Sequence, residues 1–95
     1  MRILLVEDDA DLAQFIRKGL KEEHYAVDVA ADGEEGLELA LNNAYDLLIL
    51  DIMLPKLDGL TLCRRIRAKG NTTPVLLLTA RNTVEDKVSG FDTGA

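Results

Sequence analysis

The sequence predicts an α/β domain built as an open, doubly wound parallel sheet between layers of helices. Three observations carry this prediction. Short, continuous apolar runs (Ile3-Leu4-Leu5-Val6, Leu47-Leu48-Ile49-Leu50 and Val75-Leu76-Leu77-Leu78) alternate with segments of helical period. Strands without polar alternation are buried on both faces, which a parallel sheet covered by helices provides. At 95 residues the chain suffices for one domain and is far too short for a closed eight-stranded barrel. Right-handed crossovers leave few topologies, and an open sheet of this kind places its site at the carboxyl ends of the strands.

The elements follow in order. Ile3–Val6 is a buried strand that ends at Glu7-Asp8. Asp9 is a suitable N-cap for a helix in which Leu12, Ala13, Ile16 and Leu20 recur at helical spacing. Tyr25 to Ala30 alternates Val27 and Val29 with polar or small neighbours, which predicts the second strand. Asp32-Gly33 turns the chain, and Asp32 and Glu35 stand at capping-box spacing before a short helix face of Leu37, Ala40, Leu41 and Ala44. The third strand, Leu47–Leu50, stops at Asp51. Asp58-Gly59 opens a helix with Leu62, Cys63 and Ile66 on one side, and Gly70-Asn71 ends it. The fourth strand, Val75–Leu78, stops at Thr79. Thr83 can cap a last helix carrying Val84, Val88 and Phe91.

Composition narrows the function classes. Apolar residues are 47% of the chain, enough for a core, and the formal net charge is −6. Phosphate neutralisation needs an excess of Lys and Arg, so the chain is a poor nucleic-acid binder by itself. An acidic surplus suits metal ions or basic partners. No apolar run is long enough to cross a bilayer, and no secretory signal is recognisable. The single cysteine, Cys63, cannot form an internal disulfide, which fits a reducing cytoplasm.

The chemistry-bearing residues lie at strand ends: Glu7-Asp8 after the first, Asp51 after the third, Thr79 after the fourth. In a parallel sheet these ends share one edge. If the first and third strands are neighbours, Glu7, Asp8 and Asp51 converge. Carboxylates held close repel one another, and a hard divalent cation relieves that repulsion. Mg²⁺ takes oxygen ligands and keeps waters or phosphate oxygens, which suits phosphoryl chemistry. Each piece also has an ordinary reading. Glu7, Asp8 and Asp9 precede a helix, where caps and the dipole favour acids. Asp51 can be a turn acid before Pro55, and Thr79 a β-branched strand residue. Their joint occurrence is what points to a site. Other residues read as structural: His24 as a solvated or helix-terminal residue, Cys63 as core, and Arg64, Arg65, Arg67 and Lys69 as a solvated helix face. Asp32-Gly33 and Asp58-Gly59 read as caps and turns. Gly33-Glu34-Glu35-Gly36 does not have the spacing of a phosphate-binding loop.

With these residues in view, the chain resembles the receiver domain of two-component response regulators. The resemblance rests on Val6-Glu7-Asp8-Asp9, on Asp51-Ile52-Met53-Leu54-Pro55 continuing to Asp58-Gly59, and on Pro74-Val75-Leu76-Leu77-Leu78-Thr79-Ala80-Arg81. The last two strings look most like the subclass in which the receiver precedes a winged-helix DNA-binding domain (the OmpR/PhoB type). The resemblance implies a flavodoxin-like (CheY-like) strand order 2-1-3-4. It implies Asp51 as phospho-acceptor from a phosphohistidine of a sensor histidine kinase. Asp8, Asp51 and the Met53 carbonyl would hold Mg²⁺, with Glu7 acting mainly through bound water. Thr79 would be the switch hydroxyl, and Pro55 and Gly59 would shape the loop after the acceptor.

In the family a fifth strand carries a lysine that pairs with the phosphoryl group and an aromatic residue, and a fifth helix closes the sheet. No lysine here matches, Lys87 falling in the predicted fourth helix. Residues 1–95 are accordingly read as a single, C-terminally incomplete receiver domain whose bare fourth-strand edge favours a homodimer or a domain-swapped dimer. The implied role is a cytoplasmic, Mg²⁺-dependent phospho-acceptor that controls transcription through a DNA-binding domain absent from this chain. At most it dephosphorylates itself and is not a conventional multiple-turnover enzyme. Two alternatives stand beside this. A non-catalytic or engineered receiver fragment would associate through the fourth-strand edge. An aspartate-nucleophile phosphohydrolase usually has a second acid two residues after the nucleophile, where this chain has Met53.

Overall fold

The computed structural model describes residues 1–78. They form β1 (Arg2–Val6), α1 (Ala10–Glu22), β2 (Ala26–Ala30), α2 (Gly33–Asn42), β3 (Leu47–Asp51), α3 (Gly59–Ala68) and β4 (Val75–Leu78). Thr79 and the predicted helix with Val84, Val88 and Phe91 lie outside the described residues. The strands make one parallel sheet in the order β2-β1-β3-β4. Both the fold class and the strand order agree with the sequence reading.

Burial explains why the strands lack polar alternation. Ile3, Leu4, Leu5 and Val6 are all fully buried, although they alternate between two layers. Ile3 and Leu5 pack with Ala13 of α1, Val27 and Ile49. Leu4 and Val6 pack on the opposite face with Ala40 of α2 and Leu62, Cys63 and Ile66 of α3. Apolar demand on both faces is satisfied by α1 on one side and by α2 and α3 on the other.

Helix ends follow local chemistry. Asp9 caps α1 by accepting from the Asp11 and Leu12 amides, Asp32 caps α2 through the Glu35 amide, and Asp58 caps α3 through Thr61. Helices α1 and α3 close in the same way. The amides of His24 and Tyr25 donate back to Lys21 O and Leu20 O at 2.9 and 3.1 Å, and those of Gly70 and Asn71 to Arg67 O and Ile66 O at 2.9 and 3.3 Å. This 5→2 and 6→1 pairing needs a left-handed residue after the cap. Gly70 supplies it at φ 82, but in α1 the position falls to His24 at φ 68.

Three readings need correction. Helix α2 ends at Asn42, so Ala44 lies beyond it and is exposed, and Leu41 is 39% exposed. The side-chain amides of Asn42 and Asn43 donate to Glu38 O and Leu39 O, and Asn43 is already extended. These local bonds compete with helix continuation. The apolar residue that seals this end is Tyr45, buried among the α2 and α3 core. Tyr25 closes the end of α1, two residues past its cap Glu23, and β2 starts only at Ala26. Arg67 is not merely solvated: its guanidinium donates to Asn71 O at 2.8 Å and Thr73 O at 2.7 Å, tying α3 to the approach of β4.

Candidate functional site

The β1–β3 pairing brings together acids that are distant in sequence. Val6 is level with Leu50, so the residues that follow, Glu7-Asp8 and Asp51, leave the sheet at the same edge. One carboxylate oxygen from each of Glu7, Asp8 and Asp51 lies within 4.8 Å of the others. Glu7 is 4% exposed, the one buried charged residue among those described, whereas Asp8 is exposed and Asp51 half-buried. The cluster therefore has a floor, a rim and a side open to solvent.

Backbone amides orient the carboxylates. Asp9 N–H donates to Glu7 Oε2 at 3.1 Å, and Met53 N–H donates to Asp51 Oδ1 at 3.1 Å. The Glu7 amide continues the β1–β2 ladder to Ala30 O, and the Ile52 amide continues the β3–β4 ladder to Leu78 O. Both acids thus sit on backbone that is still tied into the sheet. Burial pushes the Glu7 carboxyl up from its ordinary 4.5 to about 7; the Asp9 amide opposes this, and Asp8 and Asp51 reinforce it. A buried acid facing two further acids favours either a proton or a cation.

The donor set is oxygen-only and anionic, with one face open. That is the chemistry of a hard divalent cation that retains water or phosphate oxygens. The fit to Mg²⁺ is good on this ground, because a bound cation would offset the mutual repulsion of three carboxylates held within 4.8 Å.

The loop after Asp51 is shaped by close approaches. A Cβ built on Gly59 would lie 2.2 Å from Asp51 O, so only glycine lets α3 begin there. The Gly59 amide donates to Ile52 O at 3.0 Å. Met53 and Pro55 lie on the segment between Asp51 and α3, which Gly59 opens. Met53 is 67% exposed. Lys56 turns the loop at φ 67, with the Leu57 amide donating to Pro55 O at 2.8 Å. A three-residue turn with positive φ is a strained form.

Sequence reasoning missed two features. Gly33 is not a turn glycine: it is the first residue of α2, where a Cβ would lie 1.9 Å from Leu57 O. No single-residue signal separates this from a cap glycine. Away from the acidic cluster, Asp28 Oδ2 accepts from Arg2 at 2.9 Å and from the Tyr45 hydroxyl at 2.7 Å, while Arg2 lies over the Tyr45 ring at 5.0 Å. The Tyr45 and Arg2 bonds hold the Asp28 carboxyl below its ordinary value.

Comparison with known proteins agrees with this geometry. Residues 3–95 match the family model of the response regulator receiver domain. The chain is 55% identical over 95 residues to Protein RcaC of Microchaete diplosiphon, covering all of this chain and 15% of that protein. It is 51% identical over 94 residues to Response regulator ArlR of Staphylococcus saprophyticus, covering 99% and 42% respectively. It thus spans less than half the length of these relatives. The receiver domain of Francisella response regulator 1452 superposes with a TM-score of 0.88 at 37% identity, covering 99% of this chain and 78% of that one. Response regulator TrrA of Thermotoga maritima, solved in complex with Mg(2+)-BeF, superposes with a TM-score of 0.81 at 38% identity over 93% of this chain and 76% of that one. Fold, strand order and sequence agree, and the chain belongs to the response regulator receiver domain family.

Proposed function

We propose that the chain accepts a phosphoryl group on Asp51 from a phosphohistidine of a sensor histidine kinase, in a Mg²⁺-dependent reaction. The observation that carries this reading is the convergence of Glu7, Asp8 and Asp51 within 4.8 Å at one edge of the sheet. An Asp51 oxygen attacks phosphorus; the O–P bond forms, and the P–N bond breaks with its electron pair returning to the imidazole. The product is an acyl phosphate. The Met53 amide holds the acceptor carboxylate in one orientation, so its attack is not averaged over rotamers. Asp8, Asp51 and the Met53 carbonyl would hold the cation, with Glu7 acting through water from the floor. When bound, Mg²⁺ neutralises charge on the phosphoryl oxygens. Thr79, which follows β4, is assigned the switch hydroxyl.

The relatives are OmpR-type regulators, and the chain covers 42% of ArlR. We therefore assign the output to transcription control through a separate winged-helix domain of a longer protein acting in the cytoplasm. Residues 1–95 then belong to a single receiver domain. No described helix is long and apolar enough to cross a membrane. Among the described residues β4 has one strand neighbour, β3.

Incubation with a small phosphodonor, followed by intact-mass measurement, tests the acceptor. The reading predicts one added phosphoryl group with Mg²⁺, none with chelator, and none in Asp51→Asn. Labelling that persists in Asp51→Asn contradicts it.

A further inference from the structure

We propose that Gly33, at the start of α2, is a positioning residue for the loop that follows Asp51. Its missing side chain lets α2 brace the Pro55–Leu57 turn, and the braced turn fixes the direction of the Met53 carbonyl. The inference rests on the proposed Mg²⁺ site but concerns a residue that contributes no ligand to it.

The contact is backbone on backbone. A Cβ at Gly33 would lie 1.9 Å from Leu57 O and 2.8 Å from Leu57 C, so even alanine must displace the loop or the helix. Gly33 is not among the positive-φ glycines, so the requirement is for space and not for a special conformation. Its amide faces Pro55 O at 3.4 Å. The adjacent Asp32 uses Oδ1 to cap α2 through the Glu35 amide at 2.9 Å and presents Oδ2 to Lys56 Nζ at 3.6 Å. Lys56 is the residue at φ 67. Gly33 therefore meets Pro55 and Leu57, the two residues that flank the positive-φ Lys56, while the Lys56 side chain reaches the cap residue Asp32.

The other end of the segment is fixed as well. Ile52 donates to Leu78 O at 2.9 Å and accepts from the Leu54 and Gly59 amides at 3.2 and 3.0 Å. Gly59 closes against Asp51 O with no room for a Cβ. Met53 and Leu54 thus lie between a clamp at Ile52 and Gly59 and a brace at Pro55–Leu57. A displacement imposed at Leu57 cannot pass into the sheet and is taken up by the residues between. Outer-shell groups that orient a metal ligand act in this manner.

The test is Mg²⁺ titration by calorimetry on the 95-residue chain, with amide spectra of the metal-free protein. Gly33→Ala is expected to bind Mg²⁺ roughly tenfold more weakly than wild type. It should also move the Met53 amide resonance before any metal is added. Ile66→Val, which alters the fully buried core of α3, should lower the melting temperature and change neither. If Gly33→Ala does not fold, Lys56→Met serves. Removing a positive charge from the chain cannot weaken Mg²⁺ binding by charge, so weaker binding supports the brace and equal or tighter binding overturns it. Wild-type affinity in folded Gly33→Ala overturns the brace and leaves the metal site standing. Absence of Mg²⁺ binding by the wild-type chain overturns both.

Discussion

Replacing Glu7 with glutamine should make the metal-free fold more stable, although Glu7 belongs to the candidate site. The carboxyl is 4% exposed and shares a space of 4.8 Å with Asp8 and Asp51. Burial is the largest cause of its rise from 4.5 to about 7. The sign follows from proton linkage. Between about pH 4.5 and pH 7 the folded chain keeps a proton that the unfolded chain has lost, so stability falls as pH rises through this window and is level above it. At about 1.4 kcal/mol per pH unit, holding Glu7 ionised at high pH costs the fold on the order of 3 kcal/mol. Glutamine keeps the size and an oxygen for the Asp9 amide but cannot ionise. Urea denaturation in the presence of chelator should therefore show Glu7→Gln more stable than wild type by a few kcal/mol at about pH 8, equivalent to roughly 15 °C in melting temperature. At about pH 5 the gain should shrink to under about 1 kcal/mol. A variant no more stable at pH 8, or one with the same difference at both pH values, would refute the burial argument.

Other perturbations test the scaffold. His24→Gly removes a side chain from the left-handed position after α1 and should stabilise the chain by about 1 kcal/mol in urea denaturation; a loss of stability would mean that the imidazole makes a contact of its own. Gly59→Ala places a Cβ 2.2 Å from Asp51 O and should cost more than about 2 kcal/mol, the same denaturation experiment deciding. Tyr45→Phe deletes the 2.7 Å bond to Asp28 and should cost about 1 kcal/mol near neutral pH. Because the Asp28 carboxyl is depressed, the stability it supplies is present above its ordinary value of 3.8 and lost as pH falls through the folded value. Tyr45→Phe should therefore flatten the acid limb of the stability profile, and an unchanged limb would remove Tyr45 as the principal cause.

Much of the fold was legible because burial on both faces leaves a direct trace. Leu4 and Leu5 point into different layers yet both must be apolar, and that makes Ile3–Val6 read as a central parallel strand. Caps were equally legible: Asp9, Asp32 and Asp58 each accept the amides that their spacing implies. What failed depends on neighbours remote in sequence. Nothing around Gly33 announces Leu57, and an aspartate-glycine pair looks the same whether the glycine turns the chain or makes room for another backbone. The end of α2 was misplaced because Leu41 and Ala44 continue the apolar period, whereas Asn43 is already extended and Ala40 O, which a longer helix would pair with the Ala44 amide, accepts from Asn71 Nδ2 at 3.3 Å. At the site, Glu7, Asp8 and Asp51 were found as strand-end acids, and their meeting followed once β1 and β3 were neighbours. The burial of Glu7 beneath the exposed Asp8 could not be read from two adjacent acids.

The decisive measurement is the melting temperature of the chain as Mg²⁺ is added, for wild type and for Asp51→Asn. A cation that binds only the folded form raises stability with the logarithm of saturation. The acidic pocket predicts a saturable rise in wild type that is largely lost in Asp51→Asn. A wild-type melting temperature indifferent to Mg²⁺, or an equal rise in the variant, would contradict a metal site built on Asp51.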